Sequence, residues 1–206
     1  MNSILPPISY DWFLARARNP EDSLTRAFAG VIQAAGEGDI QPPNLGMGLT
    51  WDKFVELLDC YFPGSSREIC VDSFQETYAD CVSPLASEFD DMVALLLEHR
   101  SDDAEYNEWL AYAVASGCMG SDHLYHDMGL PDRRTLSSLL ERYFTTLYLK
   151  NVNNMKWKKF FYKQLCDRAE VTMCPARNCQ SCIDYHNCFG PEEAVPALAM
   201  EEETIR

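Results

Sequence analysis

Four cysteines, Cys174, Cys179, Cys182 and Cys188, form the pattern Cys-x4-Cys-x2-Cys-x5-Cys near the C-terminal end of a 206-residue chain. Thiolate sulfur is a soft ligand. It selects zinc, copper(I) or iron–sulfur clusters over magnesium or calcium. A free cysteine otherwise behaves as a small buried apolar residue, and its spacing then follows a helix or strand face. Pro175, Asn178, Asn187, Gly190 and Pro191 interrupt any such face here. A metal is the simplest reason to gather four thiols in one loop. A structural zinc site pairs two short knuckles across a longer stretch. This loop has a single Cys-x2-Cys with outlying cysteines on either side, a shape that suits a larger cluster better than one ion and leaves zinc as the alternative. His186, inside the loop, reads either as a donor to a cluster sulfur or as an exposed side chain.

Charge singles out the same region. The chain carries a formal −15 with a pI near 4.5. Residues 150–177 hold seven basic and two acidic side chains, a local +5 against −20 for the remainder. Lys156, Lys159 and Lys163 share one helix face by their spacing. That face attracts an oxyanion or steadies an anionic cluster in one reading, and is a solvated face opposite Trp157 and Phe161 in the other. The overall acidity argues against nucleic-acid binding, which requires Lys and Arg to neutralise phosphates. It also argues against a polybasic membrane anchor. The longest strictly apolar run, with Tyr and Trp set aside, is Met92 to Leu97, far short of the ~20 residues of a membrane span. Met1 to Tyr10 has neither a basic nor an apolar leader region. The expectation is a soluble cytoplasmic protein with no nucleic-acid or membrane partner. There an odd count of nine cysteines is not a disulfide framework. No nucleophile elbow, phosphate-binding loop or His-Glu-x-x-His occurs, so the chain does not read as an enzyme.

The elements that must position this loop read as helices. Asn19-Pro20-Glu21-Asp22 starts one through Leu24, Phe28, Val31 and Ile32. A loop covers Gly36 to Gly48. Thr50 caps a short helix through Leu58, broken by Pro63-Gly64, and Glu68 to Cys81 is ambiguous. Ser83-Pro84 opens the next, through Leu96. Ser101-Asp102-Asp103 caps another, which Gly117 and Gly120 end. Pro131-Asp132 starts a helix through Leu136, Leu140, Phe144 and Leu147. A last one runs from about Asn153 to Arg168, with Trp157, Phe160, Phe161 and Leu165 inward. The fold class is therefore all-α, a single domain of about six to eight helices with an irregular C-terminal cysteine-rich metal-binding loop. The divisions are an N-terminal segment 1–18, a helical domain 19–170, the metal-binding loop 171–191 and a flexible acidic tail 192–206.

The stretch Met155-Lys156-Trp157-Lys158-Lys159-Phe160-Phe161-Tyr162-Lys163-Gln164-Leu165-Cys166, the cysteine loop and the following Phe189-Gly190-Pro191-Glu192-Glu193 together resemble the NifQ family. A second match is Cys118-Met119-Gly120, His123-Leu124 and Asp127-Met128-Gly129-Leu130-Pro131. The likeness spans Asn19 to Glu193. It implies a carrier that supplies molybdenum for assembly of the nitrogenase iron–molybdenum cofactor. Its cargo would be a molybdenum–iron–sulfur cluster of the MoFe3S4 type, built on a 4Fe–4S or 3Fe–4S precursor. Molybdate or another molybdenum source would lie upstream, and NifH and the NifEN scaffold would be the acceptors. Cys174, Cys179, Cys182 and Cys188 match the family's metal-binding cysteines, and Cys118 and His123 match its upstream motif. Tyr125-His126 departs from the family pattern, so His126 inherits no role. Cys60, Cys70 and Cys81 match no motif, and Cys166 reads as a buried side chain.

The chemistry is coherent. The irons of such a cubane take thiolates, whereas molybdenum also accepts oxygen or nitrogen. A metal to be handed on needs an exchangeable position, as catalytic zinc does. His123 or Cys118 is the candidate near that corner. A 4Fe–4S electron carrier and a helical interaction module with a structural zinc clip are the competing readings. Replacing Cys179 or Cys182 by Ala is expected to abolish cluster binding while leaving the far-ultraviolet helical signal intact. Wild-type metal content in either variant would remove the ligand assignment.

Overall fold

The computed structural model describes residues 9–37, 39–40, 46–69, 87–171 and 185–190. Its helices are α1 (Tyr10–Leu14), α2 (Ser23–Glu37), α3 (Trp51–Tyr61), α4 (Ser65–Ile69), α5 (Ser87–Glu98), α6 (Glu105–Cys118), α7 (Leu124–Asp127), α8 (Arg133–Tyr143), α9 (Thr145–Tyr148), α10 (Trp157–Arg168) and α11 (Tyr185–Cys188). Six of these, α2, α3, α5, α6, α8 and α10, have eleven residues or more. Among the described residues the only β pairing is an isolated bridge between Ile40 and Gly120. The all-α expectation holds. No described helix is long and apolar enough to cross a membrane.

Start signals act where polar side chains precede apolar periodicity. The Asp132 carboxylate accepts the Thr135 amide at 2.7 Å and opens α8. Asp22 accepts the Thr25 amide at 3.0 Å and opens α2. Asp102 accepts the Ala104 amide and the Asn107 carboxamide at the head of α6. Each satisfies donors that the helix itself leaves unpaired. Thr50 stands at the N-cap of α3, but its side chain makes no capping bond.

The bundle is built around α2, which packs against α1, α6, α7 and α8. Small residues let it approach closely. A Cβ on Gly30 would lie 2.6 Å from the Cα and the amide nitrogen of Gly129, nearer than real Cβ contacts allow. Gly129 itself has φ +63°, a left-handed conformation that glycine adopts without penalty. The second central helix, α6, buries residues from Trp109 to Cys118, with Ala111, Ala113, Ala115 and Gly117 keeping its neighbours close. On its other side lies α5, and α10 packs on α5.

Boundaries differ from the sequence reading at several places, the first being α2, which starts at Ser23 behind Asp22 rather than in the Asn19-Pro20 turn. Helix α2 continues through Gly36 to Glu37, and α6 continues through Gly117 to Cys118. The run expected through Leu147 breaks at Phe144, where the backbone turns to φ −137°, ψ 48°. There the Tyr143 carbonyl accepts the Ser101 amide at 2.9 Å, a tertiary bond that competes with continuation of the helix. Helix α10 begins at Trp157 rather than near Asn153. The Asn151 side chain brackets Met155, accepting its amide at 2.8 Å and donating to its carbonyl at 2.9 Å. The start expected at Ser83-Pro84, Cys70, Cys81 and the acidic tail lie outside the described residues.

Gly30→Ala is expected to lower stability by about 1–3 kcal/mol through overpacking. Gly64, at φ +87° with open space around its Cβ position, is the control, since Ala there adds backbone strain of about 1–2 kcal/mol and no clash. Urea unfolding of both variants measures the difference, and a smaller loss at Gly30 than at Gly64 would contradict the close-approach account.

Candidate metal-loop site

The helix leading to the cysteine loop is amphipathic about an aromatic wedge. Trp157, Phe160 and Phe161 are buried. The Trp157 ring stacks on Tyr148 with centroids 5.8 Å apart, and its indole N–H donates to the Ser137 hydroxyl at 3.0 Å. These contacts fix the rotation of α10, and with it the directions in which its lysines leave the helix.

The start of α10 is also where α11, the turn that ends in Cys188, is seated. The Lys156 backbone amide donates to the Cys188 carbonyl at 2.8 Å, and the Lys156 ammonium lies 3.4 Å from the His186 carbonyl. Phe189 is buried, stacks on Tyr185 at 4.5 Å, and donates its amide to the Tyr185 carbonyl at 2.9 Å. Cys188 is half-buried against the core. One turn of helix thus ties the last loop cysteine to the basic helix through backbone bonds that any side chain at position 188 could make. The thiol at that position is therefore a separate chemical choice.

A second junction holds α10 against the upstream motif. The Lys158 ammonium donates to the Asp127 carboxylate and, at 2.9 Å, to the Gly120 carbonyl. Asp127 also accepts the Asp122 amide at 3.2 Å. The carboxylate sits where a Cβ on residue 120 would be, 2.6 Å from the Asp127 Cγ. The Asp127 and Lys158 side chains are only 8 % and 17 % exposed. Water screens this pair little, and each charge depends on the other. Next to it lies Cys118, 3 % exposed. Burial pushes its thiol up to about 12, Lys158 opposes that rise, and the carboxylates of Asp127 and Glu88 add to it. To act as a metal ligand Cys118 would have to give up its proton against this burial. The neighbouring Tyr162 phenol is likewise raised, by burial first and then by its hydrogen bond to Glu88.

The sequence-predicted residues therefore fall into separate places. Cys188 and Lys156 meet at the loop anchor. Lys163 lies seven residues along the same helix and pairs with Asp167 at 2.6 Å. Lys159 is exposed between them. Half-buried His123 is at the N-cap of α7, with no capping bond from its side chain, and its ring stacks on Tyr125 at 6.1 Å. His126 pairs with Asp122 at 2.9 Å on the surface, and His186 is exposed. Cys174, Cys179 and Cys182 lie outside the described residues, and among those described no three potential metal ligands converge. The sequence reading missed Lys158. Its only signal was position: it stands three and four residues before Phe161 and Tyr162, on the border of the buried face. Asp127→Asn is expected to cost about 3 kcal/mol by leaving a buried ammonium without its charge partner. Asp122→Asn, at an exposed pair, is expected to cost less than about 1 kcal/mol. Equal losses in chemical denaturation would show that the buried junction is no stronger than a surface pair.

The NifQ family model matches residues 27–190, a span that includes both the Asp127 junction and the loop. The chain is 37% identical to Protein NifQ of Azotobacter vinelandii over 156 residues, 71% of this chain and 78% of that one. It is 31% identical to Protein NifQ of Rhodobacter capsulatus over 160 residues, 77% and 82% of the two chains. A NifQ homolog of Sinorhizobium fredii is 38% identical over 103 residues, half of this chain and 45% of that one. No solved structure matches. With the match running from α2 through the loop anchor, the chain belongs to the NifQ family.

Proposed function

We propose that this protein is a non-enzymatic carrier of a molybdenum–iron–sulfur cluster, supplying molybdenum for assembly of the nitrogenase iron–molybdenum cofactor. The observation that carries the reading is the four-cysteine loop in a chain of this family, with Cys188 anchored at the head of the most basic helix. Cys174, Cys179, Cys182 and Cys188 are the ligands, and the cluster is cargo. Thiolates hold the irons, and the molybdenum corner keeps an exchangeable position. Of the two upstream candidates for that corner, His123 is the one whose side chain is not enclosed in the core. The family context makes nitrogenase-maturation proteins, NifH and the NifEN scaffold, the recipients. The acidic surface outside the basic island suits docking to basic faces on them.

Elemental and acid-labile sulfide analysis of protein purified without oxygen from molybdate-fed cells tests this. Iron, sulfide and molybdenum are expected together, and all three are expected to vanish when the four loop cysteines are replaced. Iron and sulfide alone, in protein from cells replete with molybdate, would favour an electron carrier. Stoichiometric zinc alone would favour a structural clip, whose removal unfolds the C-terminal part.

A further inference from the structure

A cleft of about 180 Å³ opens between the turn before α10 and the helix itself, lined by Lys150, Asn153, Met155, Phe160, Lys163 and Gln164. On the order of ten waters fit such a volume, enough for a small polyatomic ion with part of its hydration shell. Its walls are preformed. Asn151 brackets Met155 on both sides, and the Met155 carbonyl also accepts the Arg133 guanidinium at 2.8 Å. Phe160 and Met155, both buried, supply its apolar lining.

The decisive feature is how Lys150 is held. Its ammonium lies 3.1 Å from His99 Nε2, and His99 Nδ1 lies 2.7 Å from the Thr146 hydroxyl. An ammonium can only donate, so Nε2 must accept and the imidazole is neutral, with Nδ1–H donating to Thr146. Burial, with Lys150 and Arg168 nearby, holds the His99 pKa below its ordinary value. Lys150 is thus oriented by a neutral partner and keeps its whole charge. Across the cleft, the Lys163 ammonium is shared with Asp167, and Arg168 is matched by Glu98. The cleft is therefore lined by one net positive charge, a second ammonium and, besides Asn151 with its bond to Met155, the carboxamides of Asn153 and Gln164. That donor set fits an oxyanion, and the excess charge favours one over a neutral ligand.

We propose that this cleft is an oxyanion site, taking a tetrahedral dianion of the molybdate class beside the Cys188 anchor. The identity of the anion rests on the carrier reading above; the existence of the site does not. Its position suits the task. Met155 directly precedes Lys156, whose amide holds Cys188, and Lys163 lies about 10 Å along α10 from that anchor.

Equilibrium dialysis of molybdate against the full cluster-free chain at fixed ionic strength, read by molybdenum analysis, tests the proposal. Wild type and a variant with all four loop cysteines changed to Ala should bind alike. Lys150→Gln and Gln164→Glu should each weaken binding by about tenfold or more, with helical content unchanged. Release of the bound anion by equimolar sulfate would support a site for tetrahedral dianions in general. Two results would overturn the proposal: no binding by the wild-type chain, or wild-type affinity in both cleft variants. Neither would bear on the loop, because a chain isolated with iron, sulfide and molybdenum would still be a carrier.

Discussion

The buried ion pair between Lys158 and Asp127 is the constraint on which the rest of the arrangement depends. It joins the C-terminal end of α6, the short α7 and the basic α10 at one carboxylate, which Gly120 admits by lacking a side chain. Because α10 is rotated so that Lys158 enters this junction and Trp157, Phe160 and Phe161 enter the core, Lys156, Lys159 and Lys163 must leave on the other side. The anchor for Cys188 and the cleft beside Lys150 both follow from that rotation. A buried pair of this kind contributes little net stability when compared with apolar packing, but it strongly penalises any arrangement that separates its charges. Its value here is to fix one orientation of the helix that carries the loop.

Two cysteines show how position decides chemistry. Cys118 lies in the core beside this ion pair, where burial pushes its thiol pKa up. Cys188 is half-buried at the edge, where its carbonyl accepts the Lys156 amide. Around Cys118 and Asp127 the structure shows close packing and a buried charge pair.

Much of the fold was legible in the sequence, because its signals are local. Asp132 opened the helix it preceded, and the aromatic spacing of Trp157, Phe160 and Phe161 marked a buried face, whereas the cap read at Asn19 falls to Asp22. What was not legible depends on partners distant in the chain. The break at Phe144 coincides with a bond from Ser101, and the late start of α10 with bonds from Asn151 and to Cys188. Helices α1, α4 and α7, each of four or five residues, lack the length for a periodic signal. At the site, the cysteine pattern named the thiols and the charge pattern named the helix. Neither could show that Lys158 turns inward or that a neutral His99 orients Lys150, since both facts arise from residues more than thirty positions apart.

The central claim is that molybdenum and iron are held together as one cluster by the loop thiolates. X-ray absorption at the molybdenum and iron edges of the anaerobically purified protein tests it most directly. The account predicts sulfur and iron neighbours around molybdenum, with at least one lighter oxygen or nitrogen ligand at its exchangeable corner. Molybdenum surrounded by oxygen alone, with no iron neighbour, would contradict it.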